Sequence, residues 1–511
     1  MELFLRRNAP LFYVLAAMLA LYVPWLNRGY INLEYAFPMA AQGLSNLTES
    51  SLIDAYWSNQ ANPLGYSLFL AAIYKLFGYH DWFWLARLPS IIGCGLMIVA
   101  GLIIFRSKSS SQIQNFLLWS MLVVLNPMII AYSTAATADI LPVGLLMMSI
   151  ALISGTAGSR ILVQLFSAVL FGLSIVSKYN SVYFGLLFVL SIYLVGLKTH
   201  DRILIWLKRI CVFLVIPATI LGTYLSWSYL RFDVFISNRL DQTRPDFVNI
   251  VGWVQTFGKY TAFLGLFCCL IPFVIFIKQT RFSKITSKQL ILFLLFLGIG
   301  WYLSKPLSEG ELNFGGGFFL GSSAARIIET FGFINGVAIF QIVWRQMRSR
   351  NRLTQVLMAG LGPYLILISA SRPTQRYLIY AIPIVLLILV EALDELPKRL
   401  KYFAVGSTAL GFAAVSLLGM SYLTSQGNAS EEMAVWVEEN NLISQTSAGA
   451  IGPHAGQHWW GVATDETRYE IIAVTPATEA QVQERVLHRE PMKVLGKVTR
   501  VYLLREITKK P

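Results

Sequence analysis

Apolar runs of about 17 to 24 residues recur from Met18 to Leu423, each long enough as a helix to cross a hydrocarbon core of roughly 30 Å. Only helices and closed barrels satisfy their backbone groups in lipid, and runs of this length select helices. Composition agrees: of 511 residues, 56% are hydrophobic and 13% charged, with a mean hydropathy of +0.59. A soluble enzyme is excluded, and the chain reads as a polytopic α-helical membrane protein.

The formal charge of +14 would suit nucleic acid if the basic residues lined one face. They fall instead in short blocks between apolar runs, the pattern of cytoplasmic loops, so nucleic acid is not an expected partner. Cys94, Cys211, Cys268 and Cys269 all lie inside apolar runs and read as small core hydrophobes. Arg6 and Arg7 precede an apolar stretch that lacks a small-residue cleavage motif, which predicts a retained signal-anchor helix.

Spans are expected near 10–26, 84–105, 113–133, 139–155, 161–177, 180–197, 205–227, 259–278, 289–304, 323–344, 353–370, 374–391 and 400–423, about thirteen in all. With a cytoplasmic N-terminus, the inside segments carry 20 basic residues against five acidic ones. The outside segments up to residue 423 carry twelve and eleven, so the basic excess falls on the side that the positive-inside rule requires. The apolar stretch from Pro63 to Gly78 is short for a span and reads as an amphipathic helix on the outer interface. The long segments 27–83, 228–258 and 305–322 then face outward, as does the more polar tail from 424. Two domains follow: 1–423 in the membrane and 424–511 outside it. In the tail, helices are expected at Ala434–Asn441 and Ala480–Leu487 and strands at Glu470–Val474 and Arg500–Leu504, a small α/β domain.

Charge is costly at membrane depth, so polar residues at the outer span ends are the candidate site. Glu34, just past the first span, is placed to act as a general base on an acceptor hydroxyl or amine. Asp139 and Lys178 each stand at an outer span mouth with few charges near. Arg372 and Arg376 flank Pro373 at another, and guanidinium groups bind phosphate bidentately. For any one of these, a solvated or interfacial charge is the plainer explanation. The run Asn313-Phe314-Gly315-Gly316-Gly317-Phe318 fits a mobile lid or a plain turn, and lacks the lysine and helix context of a nucleotide loop. His454 and His458, with Trp459 and Trp460, suit a structural role better than a metal or sugar site. Asn46-Leu47-Thr48 and Asn428-Ala429-Ser430 match the glycosylation sequon, a motif common by chance.

The order of these features resembles the GT-C membrane glycosyltransferases, in the branch of protein O-mannosyltransferases and lipid A aminoarabinose transferases. The motifs are Asn62-Pro63-Leu64-Gly65-Tyr66 after an acidic first loop and Ala86-Arg87-Leu88-Pro89-Ser90 opening a span. Asn126-Pro127, Tyr132-Ser133 with Asp139, Ser177-Lys178-Tyr179 and Gln375-Arg376-Tyr377-Leu378 follow in the same order, and the likeness covers roughly residues 10–390. It implies a GT-C-like bundle with extracytoplasmic juxtamembrane helices. It also implies transfer of a sugar from a polyprenyl-phosphate donor to a lipid, glycan or protein acceptor, in a bacterial inner membrane with the site facing the periplasm or exterior. By the same resemblance Glu34 is base or acceptor anchor, and Arg87, Lys178 and Arg376 meet or support the carrier phosphate. Two positions depart from the family pattern. Leu33 stands where an acid often precedes Glu34, which makes Asp54 the fallback base, and Asn62 stands where a His or Lys is common. With a phosphate leaving group a divalent metal is helpful but not required, and no cofactor is expected. The rival reading is a transporter or flippase of a lipid-linked glycan, which would show repeated halves and broken helices; the sequence shows neither.

Overall fold

The computed structural model describes residues 2–507 apart from 32–33, 47–50, 60–61, 79–82, 107–111, 155–159, 199–202, 238–248, 281–294, 296–297, 300–315, 349–351, 371–373, 448–466 and 483. Seven of the described helices are long and apolar enough to cross a membrane, or up to nine if each bent pair is one span. The remaining apolar helices, such as Ile140–Ser154 and Ile161–Ser177, are shorter. Fifteen residues at about 1.5 Å each fall short of the hydrocarbon thickness, so the described residues do not reach the thirteen spans expected. Most of the expected span at 289–304 lies outside the described residues. The protein is nonetheless a multi-pass membrane protein by the number and length of its apolar helices.

The chain divides into two compact units: Met1–Met18, Ile92–Ile130 and Asp139–Ser416 form one, and Leu19–Ile91, Ala131–Ala138 and Leu417–Pro511 the other. The division does not fall at residue 423. The last helix runs without interruption from Lys398 to Glu439, so the expected span at 400–423 and the expected tail helix are one element.

In the first unit, two expected spans are broken. The run 113–133 bends by 66° at Asn126, between Gln112–Leu125 and Pro127–Ser133. The run expected at 259–278 starts earlier and bends by 90° between Ile250–Cys268 and Leu270–Thr280. Proline after Asn126 lacks the N–H that would continue the first helix. At the second break Cys269 takes φ +51°, a conformation that a side chain rarely adopts. A break frees carbonyls that lipid cannot satisfy. Here Asn126 Nδ2 donates to Phe267 O at 3.0 Å and Asn335 Nδ2 to Cys269 O at 2.9 Å. The sequence expectation of unbroken helices is overturned; both amide bonds cap the second break, while at the first Ser416 Oγ donates to Leu125 O at 2.9 Å and Met128 N–H to Asn126 Oδ1 at 3.1 Å. Asn126→Ala is expected to cost about 1–3 kcal/mol by stranding a buried carbonyl, read as a lower unfolding midpoint of the full chain in detergent.

Of the four cysteines, all free thiols, Cys94 and Cys268 are buried and Cys269 half-buried. Cys211 departs from the core expectation: it is exposed on Ile203–Phe232, a helix largely bare of protein neighbours, as a lipid-facing helix is.

In the second unit, three short helices follow the first outer turn: Ala36–Ser45, Ser51–Asn59 and Gly65–Phe77. The last fills the stretch read as interfacial. Phe37 packs edge-on to Tyr56 and Tyr66, and Ser67 Oγ donates to Phe37 O at 3.0 Å. The tail forms a four-stranded sheet in the order β1-β2-β4-β3, with β1 Thr446–Ser447, β2 Tyr469–Val474, β3 Val486–Val494 and β4 Lys497–Glu506. Ala429, Met433, Ala434 and Val437, spaced on one helix face, bury against Ile471, Met492, Tyr502 and Leu504 of the sheet. The two expected strands are present. The helix expected at Ala480–Leu487 is not: a single turn at Pro476–Glu479 precedes β3. β3 pairs with β4 through the two-residue loop Leu495-Gly496, both at positive φ, which is the turn geometry that matches strand twist.

Candidate functional site

Among the described residues, buried charged side chains gather in each unit. In the second unit the cluster begins at Glu34, which lies in the turn before Ala36–Ser45 and is only 3% exposed. Arg28 grips both carboxylate oxygens, Nη1 to Oε2 at 2.8 Å and Nη2 to Oε1 at 2.9 Å. Arg87 Nη2 adds a bond to Oε2 at 3.1 Å. Two backbone amides complete the set: Ile31 N donates to Oε2 at 2.9 Å and Ala136 N to Oε1 at 3.2 Å. Burial pushes the carboxyl group's pKa up. The charges of Arg28 and Arg87, with the hydrogen bonds from Arg28 and Ile31, outweigh that and hold it below its ordinary value.

Arg87, near the start of Phe83–Arg106, is fully buried. Its Nη1 donates to Leu26 O at 2.6 Å and Arg28 O at 2.7 Å, and its Nη2 to Gly29 O at 3.2 Å as well as to Glu34. Its four Nη hydrogens thus have acceptors within the protein. Tyr30 and Phe83 cover the guanidinium at 5.4 and 5.8 Å. Arg28 Nη2 also reaches Thr134 O at 3.4 Å, and Ser90 Oγ donates to Ala135 O at 2.7 Å while pairing with Tyr66 at 3.1 Å. The cluster therefore ties the first outer turn to the segment 131–138. Gly29 is required there: a Cβ would stand 2.3 Å from Gly427 O, and its N–H donates to Asn428 Oδ1 at 3.3 Å. The sequon at Asn428 accordingly sits inside a continuous helix, with its amide engaged and Ser430 buried.

In the first unit, Asp139 and Lys178 form a buried ion pair, 3% and 5% exposed. Asp139 precedes Ile140–Ser154, and Lys178 ends Ile161–Ser177 in an extended conformation. The sequence placed them separately, at two span mouths; the fold joins them. Lys178 Nζ lies 5.5 Å from the Tyr377 ring and Arg376 Cζ 5.9 Å from it, so one aromatic ring is shared by two cations. Tyr364 Oη donates to Tyr377 O at 2.6 Å and thereby fixes that segment.

The other expectations are placed as follows. Asp54 is exposed in the first turn of Ser51–Asn59. Asn62 is half-buried, and its carbonyl accepts from Tyr56 Oη at 3.2 Å. Arg372, residues 313–315 of the glycine-rich run, His454, His458, Trp459, Trp460 and residues 47–48 of the first sequon lie outside the described residues. Sequence reasoning did not single out Arg28. Its signal was present: a second basic residue six positions before the acid, in the same short turn.

No protein-family model matches the chain, and no curated protein does. Solved structures do. The chain is similar to ArnT from Cupriavidus metallidurans, a lipid A aminoarabinose transferase, in its crystal structure bound to undecaprenyl phosphate. The TM-score is 0.52 at 14% identity, over 97% of this chain and 98% of that one. The apo structure of the same protein gives 0.52 at 13% identity, over 98% of each. A lesser likeness, TM-score 0.43 at 13% identity, is to an oligosaccharyltransferase from Archaeoglobus fulgidus, over 84% of this chain and 55% of that one. The fold is that of the ArnT structures.

Proposed function

We propose that this chain is a membrane glycosyltransferase that moves a sugar from a polyprenyl-phosphate donor to a lipid, glycan or protein acceptor on the extracytoplasmic face. The observation that carries this reading is the likeness along nearly the whole chain to ArnT, whose crystal structure holds undecaprenyl phosphate. The charge cluster of the first unit supports it. Lys178 and Arg376 share the Tyr377 ring, and a phosphate approaching them would be met by an ammonium and a guanidinium in a setting of low dielectric. Asp139 orients Lys178 until the phosphate competes for it.

The reaction is a single displacement. The acceptor oxygen or nitrogen bonds to the anomeric carbon, the bond from that carbon to the carrier phosphate oxygen breaks, and the acceptor's proton passes to a base. The cations stabilise the charge that grows on the departing phosphate, where electrostatic preorganisation contributes most. In this reading Arg87 acts by holding Glu34 rather than by meeting phosphate.

The two bent helix pairs bear on the transporter alternative. Half-helix ends in transporters line a substrate or ion path. Carbonyls of Phe267 and Cys269 at the second break are instead taken by Asn126 and Asn335, which favours a structural bend. Native mass spectrometry of the purified chain with undecaprenyl phosphate tests the donor reading. Wild-type protein is expected to retain the lipid and Lys178→Met to lose it; equal retention by both would remove Lys178 from the phosphate site.

A further inference from the structure

The two cations proposed to meet the carrier phosphate are carried in similar ways. Lys178 is the residue before a 3-10 turn, Tyr179–Phe184, and Arg376 is the second residue of another, Gln375–Tyr380. Such turns are short and weakly hydrogen-bonded, so their position depends on what they pack against. Here they are fastened to each other. Ser181 Oγ and Tyr380 Oη lie 3.0 Å apart, and both residues are buried. Ser174 Oγ, 2.7 Å from Ser181 Oγ, also donates to Pro142 O at 2.7 Å, so the link continues into the helices behind Lys178 and Asp139.

The rings around the link leave the hydroxyls no other surroundings than protein. Phe184 packs on Tyr364 at 4.9 Å and on Tyr380 at 5.7 Å, and Tyr364 packs on Tyr380 at 5.4 Å. A buried hydroxyl without a partner is costly, and Tyr380 Oη finds its partner in Ser181 Oγ, which is itself held by Ser174. The Arg376 turn is further held by Thr374 N–H donating to Tyr260 Oη at 3.0 Å.

We infer that Ser181 and Tyr380 are a positioning pair for the carrier phosphate: their hydroxyl bond sets the relative placement of Lys178 and Arg376. Neither residue touches the phosphate, and both act through the turns that present the cations. The inference rests on the proposed reading of those cations as phosphate ligands. It extends the site by two residues that carry no charge and stand in no recognisable motif.

The test measures undecaprenyl phosphate affinity of the full-length protein in nanodiscs for wild type, Lys178→Met, Tyr380→Phe, Ser181→Ala, the Tyr380→Phe plus Ser181→Ala double variant and Ser181→Thr. Tyr380→Phe removes one oxygen and keeps the ring. It is expected to weaken binding about tenfold, the effect of losing one buried hydrogen bond, and Ser181→Ala, which also gives up the contact with Ser174, by at least as much. The double variant should lose no more than Ser181→Ala alone, because the bond that Tyr380→Phe removes is already gone there. Ser181→Thr, which keeps the hydroxyl, should bind within about threefold of wild type. Wild-type affinity in Tyr380→Phe and Ser181→Ala, or losses that multiply in the double variant, would overturn the pairing while binding by wild type and loss in Lys178→Met upheld the donor reading. Failure of wild type itself to bind would overturn the donor reading, and the inference with it. Unfolding midpoints taken alongside separate a loss of positioning from a loss of fold; should Tyr380→Phe not fold, Ser181→Ala against Ser181→Thr decides.

Discussion

Glu34→Gln is expected to destabilise the full-length protein by about 3–5 kcal/mol, because it leaves Arg28 and Arg87 buried with no counter-charge. The amide keeps the shape of the side chain, but its NH2 group faces donors where an acceptor stood. Removing Arg28 instead leaves Glu34 paired one-to-one with Arg87, so Arg28→Gln should cost less than Glu34→Gln. The measurement is the thermal or denaturant midpoint of purified protein in detergent. A Glu34→Gln variant with a wild-type midpoint and no transfer activity would give Glu34 the role of general base in place of the clamp. The pH dependence has a definite sign. A carboxyl whose folded-state pKa lies below its unfolded value stabilises at all pH above the unfolded value and loses that stabilisation as pH falls through the folded one. Stability from Glu34 is therefore expected to hold across neutral pH and to fail only in acid below the ordinary carboxylate range. A carboxylate held in that way is a weak proton acceptor, which is the chemical reason to favour the clamp.

The second large effect concerns the other cluster. Asp139→Asn and Lys178→Met each remove one side of a buried ion pair and are expected to cost about 3–5 kcal/mol singly. Combined, they remove both charges, and the double variant should be more stable than the two single losses would sum to. Activity should not recover with stability: the double variant lacks the cation proposed for the leaving phosphate and is expected to lose transfer by at least a hundredfold, on the order of one oxyanion contact. Recovery of transfer in the double variant would show that the pair serves the fold alone. Denaturant midpoints and transfer rates on the same preparations check both statements.

That the chain crosses a membrane many times was legible because a helix in lipid must be apolar along its full length; the number of crossings was not, since several apolar runs form helices too short to span. Nor were the breaks at Asn126 and Cys269. A span sequence stays apolar through a bend when the freed carbonyls are capped by a side chain from elsewhere, as Asn126 and Asn335 do, and no local pattern carries that information. The Asn126-Pro127 pair marks the bend, but in sequence it stands within a continuous apolar run. In the tail, Ala480–Leu487 has the composition of a helix, yet its last two residues enter β3, whose partner β4 and tight Leu495-Gly496 turn settle the matter through pairing.

Charges showed a similar division. Glu34, Asp139, Lys178 and Arg376 stood out because charge beside an apolar run is costly and needs a reason. What each would touch did not stand out, since partners lie far away in sequence: Arg87 is 53 residues from Glu34 and Lys178 is 39 from Asp139. Glu34 reads as a general base in the sequence because nothing local marks Arg28 and Arg87 as its partners. Ser181 and Tyr380 gave no signal at all, being neutral residues of ordinary type in apolar surroundings.

The most direct test of the account uses membranes from cells lacking this chain, to which the purified chain is added back while polyprenyl-phosphate sugars are followed by mass spectrometry. A transferase converts the sugar-linked carrier to free polyprenyl phosphate as sugar passes to the acceptor already in the membrane, and the mass lost identifies the sugar. That conversion, present with wild type and absent with Lys178→Met, is the expected result. A sugar-linked carrier pool that stays unchanged after folded, inserted wild-type chain is restored would contradict the account and leave transport of the linked glycan as the reading to pursue.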